Sequence, residues 1–205
     1  MERTYKDFER YMENHPEANV VEMDTVEGSK GDPVLLTMLF RSCNFMLIFL
    51  LAQNTQADVC EFFEAMELVL GTEKMRELFE VLLTDNGPEF KNPSLLERNL
   101  SGQLRTHVFY CDPMASWQKG RLEKNHEFIR YILPKGRSFT TLTKTKVITM
   151  MNHINSTARA SLNGRTPFEL ASLLLPAALL SWSGSAAVPH DEVLLKPRLL
   201  KMPLP

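Results

Sequence analysis

At 205 residues, with 44% hydrophobic and 23% charged side chains, the chain suits one globular α/β domain and is too apolar to be disordered. No signal-like stretch follows Met1, and the longest apolar runs, around 45–52 and 170–182, are too short or proline-broken to cross a bilayer, so a cytoplasmic protein without membrane attachment is expected. Charge is unevenly spread: residues 1–90 carry 7 Lys+Arg against 18 Asp+Glu, residues 91–146 carry 11 against 4, and residues 147–205 carry 5 against 3. The basic middle could face phosphate, although a charge run is about as often a solvated face. Cys43, Cys60 and Cys111 lie far apart with no CxxC pair and no histidine spaced for zinc, so they read as reduced core cysteines.

After a charged lead-in over 1–19, the alternation at 20–26 predicts a strand with Val20, Glu22, Asp24 and Val26 on one face. A turn cluster at 28–33 precedes apolar runs at 34–40 and 45–52, which together predict an antiparallel meander. Thr55 opens a helix with Asp58 in a capping-box-like position; Val59, Phe62, Phe63, Met66, Val69 and Leu70 keep the helical period, and Gly71 closes it. A short helix near 73–78 leads into a β-prone run at 79–83 that ends on Thr84, Asp85, Asn86 and Gly87. Residues 91–105 read as a polar insertion, and 106–110 as a further strand. Helices follow at about 119–133, stopped by Pro134 and Gly136, and at about 143–156, with Val147, Met150, Met151 and Ile154 as the buried stripe. Thr166, Pro167 and Glu169 announce another helix start. Beyond 171 the pattern degrades, and five of the twelve prolines fall from Pro176 onward, which predicts a loosely packed or mobile tail. Strands in a meander, then strands separated by helices, predict a mixed sheet covered by helices.

Three carboxylates stand where structure alone has little use for them. Asp24 lies inside the first strand, Asp85 where the fourth strand runs into a glycine turn, and Glu123 in the first turns of a basic helix. If strands one and four are neighbours, Asp24 and Asp85 lie side by side at the strand ends, with the Glu123 helix across them. Magnesium takes carboxylate oxygens, and two such ions can clamp both oxygens of an in-line phosphoryl displacement. Each residue also has a plainer explanation: a local hydrogen bond for Asp24, a turn for Asp85, the helix dipole for Glu123.

Three motifs favour the chemical reading. They are Val21-Glu-Met-Asp-Thr-Val26, Leu83-Thr-Asp-Asn-Gly-Pro-Glu-Phe90, and the run from Tyr110 through Trp117-Gln-Lys-Gly-Arg-Leu-Glu123 to Glu127. With Phe128-Ile-Arg-Tyr-Ile-Leu-Pro-Lys-Gly136 and Asn163-Gly-Arg-Thr-Pro-Phe-Glu169, they closely resemble the integrase-core signatures of insertion-sequence-thirty transposases. The resemblance spans roughly residues 5–171. It implies a ribonuclease-H-like α/β fold, a five-stranded mixed sheet flanked by helices, in a catalytic core over 20–171 between the lead-in 1–19 and the proline-rich tail 172–205. It also implies a triad of Asp24, Asp85 and Glu123 holding two magnesium ions, with manganese able to substitute. Glu127, one helical turn on, is the rival third carboxylate, but the surrounding letters align on Glu123. The implied reaction is DNA cleavage at transposon ends followed by strand transfer into target DNA, by a homo-oligomer.

Around that triad, Lys119, Arg121, Lys124 and Arg130 are expected to contact phosphate. Trp117 either stacks on a base or fills a gap. His126 reads as a packing or surface histidine, and Asn125 as a residue that could position DNA or a ligand carboxylate. Family members usually carry a helix-turn-helix region before this core, and residues 1–19 are too short to supply one. Two other readings therefore stand beside the transposase: a truncated, transposition-incompetent remnant that binds DNA non-specifically, and a metal-dependent nuclease without strand transfer.

Overall fold

The computed structural model describes residues 3–201. Five strands form one mixed sheet in the order β3-β2-β1-β4-β5. β1 (Val20–Val26), β2 (Val34–Phe40) and β3 (Phe45–Leu51) are the antiparallel meander. β4 (Val81–Thr84) and β5 (His107–Tyr110) run parallel to β1. All seven residues of β2 are buried, so the strand carries no polar alternation. This is the ribonuclease-H-like arrangement that the resemblance implies.

Helices begin where short polar side chains can answer free amides. Thr55 accepts the amide of Asp58 at the start of α2 (Gln56–Leu70), and Gly71 ends that helix with φ of 80°. α3 (Thr72–Leu78) follows directly. Thr143 accepts the amide of Lys146 ahead of α6 (Lys144–Asn155), and Thr166 and Glu169 form a reciprocal capping box on α7 (Pro167–Leu174). α6 supplies Val147, Met150, Met151 and Ile154 to the main core, the stripe read from the sequence.

Four segments depart from the sequence reading. The lead-in contains α1 (Tyr5–Asn14), opened by a Thr4–Asp7 capping box. It seats Phe8 against Val20, Val81, Leu83 and Phe109 in a second, smaller core. β4 starts at Val81 because Phe79 closes α3 and turns into the core. The polar insertion holds α4 (Pro93–Glu97) and ends at Arg105, which is fully buried against Glu67 (2.7 Å) and Glu64 (2.9 Å) of α2. The tail, predicted to be loose, folds onto the domain: α8 (Ala177–Trp182) packs Trp182 against Phe49 and Phe62 with tilted rings, and Leu179 and Leu199 are buried. Backbone amides of Ala186, Val188 and Leu194 donate to Asn152, Ser156 and His153 on or just after α6, so the prolines bend the tail around that helix.

β3 is an edge strand, and α6 answers its backbone. The Asn155 side chain accepts from the Met46 amide at 3.0 Å and donates to the Met46 carbonyl at 2.8 Å. The opposite edge, β5, receives Arg3: its carbonyl accepts the Tyr110 amide at 2.7 Å.

Candidate active site

The site grows from the parallel pairing of β1 with β4. Val20 faces Val81, Val21 faces Leu82 and Glu22 faces Leu83, so Asp24 and Asp85 follow two residues beyond the last pair on adjoining strands. Sequence reasoning expects this adjacency, and the register supplies it. Asp24 is half-buried and its Oδ1 accepts the Thr25 amide at 2.8 Å, whereas Asp85 is exposed on the turn. Gly87 sits tight against that turn, its amide donating to Asp85 Oδ1 at 3.2 Å.

Between the two aspartates stands an ammonium. Lys119 Nζ lies 2.9 Å from Asp24 Oδ2 and 3.6 Å from Asp85 Oδ2, and the side chain is almost wholly buried. Burial alone would lower its pKa, but Asp24 and Asp85 outweigh that and the pKa is raised. The short turn Ser116–Lys119 aims it inward, held by Gln118, which accepts the Asp112 amide and donates to the Asp112 carboxylate. Lys119 was expected to reach DNA; here the aspartates draw it under the surface.

The next element is α5 (Gly120–Ile132), which has no side-chain cap of its own. Its cap comes from the sheet. Glu22, 1% exposed, accepts the Leu122 amide at 2.7 Å through Oε2 and pairs with Arg41 at 2.7 Å through Oε1. A buried carboxylate at a helix N-terminus satisfies orphan amides and meets the positive end of the dipole. The sequence places Glu22 and Asp24 on one strand face but leaves open which anchors the helix.

Glu123 stands on the first turn of α5. Burial raises its pKa, and the Asp24 and Asp85 charges raise it further against the opposing pull of Lys119, so the three carboxylates share one electrostatic neighbourhood. Glu123 and Glu127 both line a cleft of about 770 Å³ along α5, together with Lys124, Arg130 and Lys135. His126 points inward: its Nε2 lies 2.9 Å from Thr37 Oγ1, and burial, then Lys119 and Arg130, hold its pKa down at about 4. The Thr37 hydroxyl donates to the Asp24 carbonyl at 3.0 Å, which leaves a lone pair for His126 Nε2–H.

Of the remaining expected contacts, Trp117 is 75% exposed and fills no gap. Arg121 and Lys124 are exposed, and Arg130 is half-buried with Nη2 donating to the Glu27 carbonyl at 3.3 Å. Asn125 is buried, donating to the Arg121 carbonyl at 2.9 Å. The sequence reading passed over Glu89, a buried carboxylate whose Oε1 accepts from Thr25 Oγ1 at 2.6 Å while its Oε2 has no partner. Only the folded turn reveals it, because Glu89 lies one residue past a proline in what reads as loop. Among the described residues, no three His, Cys, Asp or Glu side chains are grouped as a preformed metal cage. No described helix is long and apolar enough to cross a membrane.

The sheet thus carries aspartates at adjoining ends of β1 and β4, with a glutamate on the later helix α5. No family model matches the chain. It is similar to the transposase for insertion sequence element IS4351 of Bacteroides fragilis, 26% identical over 149 residues, covering 73% of this chain and 43% of that protein. It is likewise similar to the IS1086 transposase of Cupriavidus metallidurans, 23% identical over 75% of this chain and 43% of the relative. Transposase InsI for IS30C of Escherichia coli K12 is 26% identical over 78% of this chain and 40% of its own length. The resemblance to insertion-sequence-thirty transposases read from the motifs is therefore shown by the relatives themselves. The chain spans less than half the length of each. Among solved structures, the catalytic core domain of BIV integrase matches with a TM-score of 0.48 and 15% identity, over 76% of this chain and 94% of that one.

Proposed function

We propose that the chain is a DDE-type polynucleotidyl transferase core, which cleaves DNA and joins the freed 3′ end to a target during transposition. One observation carries this reading: Asp24 and Asp85 end adjoining strands, converge on a single buried ammonium, and share their field with Glu123. Oxygen donors from two strand ends and a helix suit a hard divalent cation such as magnesium or manganese. Asp24, Asp85 and Glu123 would hold such ions, two in the full site, with Lys119 moving off the aspartates to admit them. Bound there, the cations would supply positive charge to the scissile phosphate and its attacking and leaving oxygens.

The chain's own residues do the rest. Glu22 fixes the angle of α5 and so aims Glu123 at the strand ends. Thr37 and His126 hold the Asp24 backbone in place. Trp117, Arg121, Lys124 and Arg130 offer an aromatic face and cations to DNA along α5. Once displaced from the carboxylates, Lys119 joins them as a phosphate contact. The protein is proposed to act as a homo-oligomer on transposon-end and target DNA, its core running over 20–171.

A second reading rests on the same ammonium: a chain whose carboxylates stay neutralised by Lys119 would be a remnant that binds DNA without cutting it. Manganese-supported nicking of supercoiled plasmid separates the two. The transposase reading expects nicking that Glu123→Gln abolishes and Glu127→Gln leaves within a few-fold. Loss on Glu127→Gln with retention on Glu123→Gln moves the third carboxylate one turn along the helix. Absence of nicking by the wild-type chain favours the remnant.

A further inference from the structure

Among the described residues three cationic side chains are buried, and they are treated differently. Arg105 meets Glu64 and Glu67, and Lys119 meets Asp24 and Asp85. Arg159, 9% exposed, has no carboxylate partner among the described residues. Its guanidinium stacks on Phe128 with 3.8 Å to the ring centroid, and Nη2 donates to the Ile154 carbonyl at 3.0 Å and, at 3.4 Å, to Asn125 Oδ1. Its Nη1 has no partner at all. Burial lowers the Arg159 pKa to about 10, well above neutrality, so the group keeps its charge. A buried charge without a counter-ion is costly unless a ligand completes it.

Arg159 lines a pocket of about 550 Å³ that also takes in Arg41, Arg121 and Lys124, and no Asp or Glu contributes to it. Arg41 is already paired with Glu22, whereas Arg121 spends one nitrogen on the Arg41 carbonyl and Lys124 is exposed. The pocket shares Gly120 and Lys124 with the cleft that holds Glu123, so the two lie on either side of the start of α5. Arginine forks suit phosphate oxygens, and an aromatic face that fixes the fork lowers the cost of ordering it.

We propose that this pocket binds a backbone phosphate of DNA, anchoring the strand on the far side of α5 from Glu123. The assignment rests on the reading of the carboxylate cluster as a DNA-processing site, but its test is independent of cleavage. All binding is measured on the 205-residue chain in EDTA, where no nicking occurs. Arg159→Gln removes the charge. Ala160→Glu, at an exposed residue of the pocket rim, places a carboxylate there without touching the core. Ser101→Glu, exposed on a remote loop, is the control.

The first arm uses inorganic phosphate against chloride at matched ionic strength. Tens of millimolar phosphate should raise the wild-type and control melting temperatures by about 2 °C, and neither pocket variant's. In the second arm, a short duplex should bind about tenfold more weakly to both pocket variants than to wild type or control. Its log–log salt slope should be shallower by about one, the loss of a single phosphate contact. An equal phosphate shift in Ala160→Glu and wild type, or no shift in any, overturns the pocket. A phosphate shift lost in the variants with duplex affinity unchanged overturns the DNA assignment. Failure of the carboxylate reading would appear elsewhere, as nicking that survives both Glu123→Gln and Glu127→Gln.

Discussion

The Oε2 atom of Glu22 accepts the backbone amide of Leu122 at 2.7 Å, joining the central strand to the start of α5 one residue before Glu123. Because Glu22 is buried and its other oxygen holds Arg41, removing the carboxylate leaves a cation and helix amides without an acceptor. Glu22→Ala should cost about 3–5 kcal/mol in urea unfolding, and Glu22→Gln, which keeps one acceptor, about half of that. A loss below about 1 kcal/mol for Glu22→Ala would show that α5 does not depend on this contact.

On the proposed reading, Lys119 and a divalent cation compete for the same two aspartates. Lys119→Met leaves Asp24 and Asp85 facing each other without compensation, so its melting temperature in EDTA should fall below wild type. Millimolar magnesium or manganese should then raise it by more than it raises wild type, because no ammonium has to be displaced. Asp24→Asn with Asp85→Asn should show no metal-dependent rise. An increment in Lys119→Met equal to or smaller than that of wild type would count against competition.

His126 makes the fold sensitive to acid in a defined window. Its folded pKa of about 4 lies below the unfolded value near 6.5, so between these limits the unfolded chain binds the extra proton and stability falls as the pH falls. The contribution present above pH 6.5 should be reduced by about 2 kcal/mol at pH 5. His126→Gln keeps an N–H for Thr37 and has no proton to gain. The drop in stability from pH 7.5 to pH 5 should therefore be smaller in the variant by that amount, as read from urea midpoints at the two pH values.

Gly87 is required for space. Its φ of −63° suits any residue, but an added Cβ would stand 2.6 Å from Glu89 Oε2 and 3.2 Å from Asp85 Oδ1. Glu89 is buried and tied to Thr25, so it cannot swing aside freely. Gly87→Ala should destabilise by about 1–3 kcal/mol and displace Asp85, reducing the magnesium-dependent rise in melting temperature. Gly87→Ala with Glu89→Ala should recover much of the stability; failure to do so would place the strain in the backbone.

Much of the fold was legible because its signals are local. Thr55, Thr143 and Thr166 mark helix starts by capping chemistry, Gly71 marks an end, and the run of Val34–Phe40 needs no partner to read as a buried strand. The adjacency of Asp24 and Asp85 followed from placing strands one and four together. What stayed hidden depends on residues far apart in the chain. Arg105 reads as part of a polar loop until Glu64 and Glu67 of α2 are brought to it. α1 carries few apolar residues, and its capping box goes unnoticed until Phe8 finds Val81 and Phe109. Lys119 and its neighbours Arg121 and Lys124 look alike as letters; only tertiary contact separates the buried cation from the exposed ones.

An open strand edge is a template on which another chain can extend a sheet. Here the Asn155 amide imitates the missing neighbour of β3, presenting one donor and one acceptor to Met46 as a strand would, and Arg3 holds the Tyr110 amide on the far side. At Met46 and at the Tyr110 amide the two outer edges of the sheet are therefore already occupied from within the chain. Asn155→Leu would free the Met46 amide and carbonyl while keeping the bulk of the side chain, opening the β3 edge to a further strand.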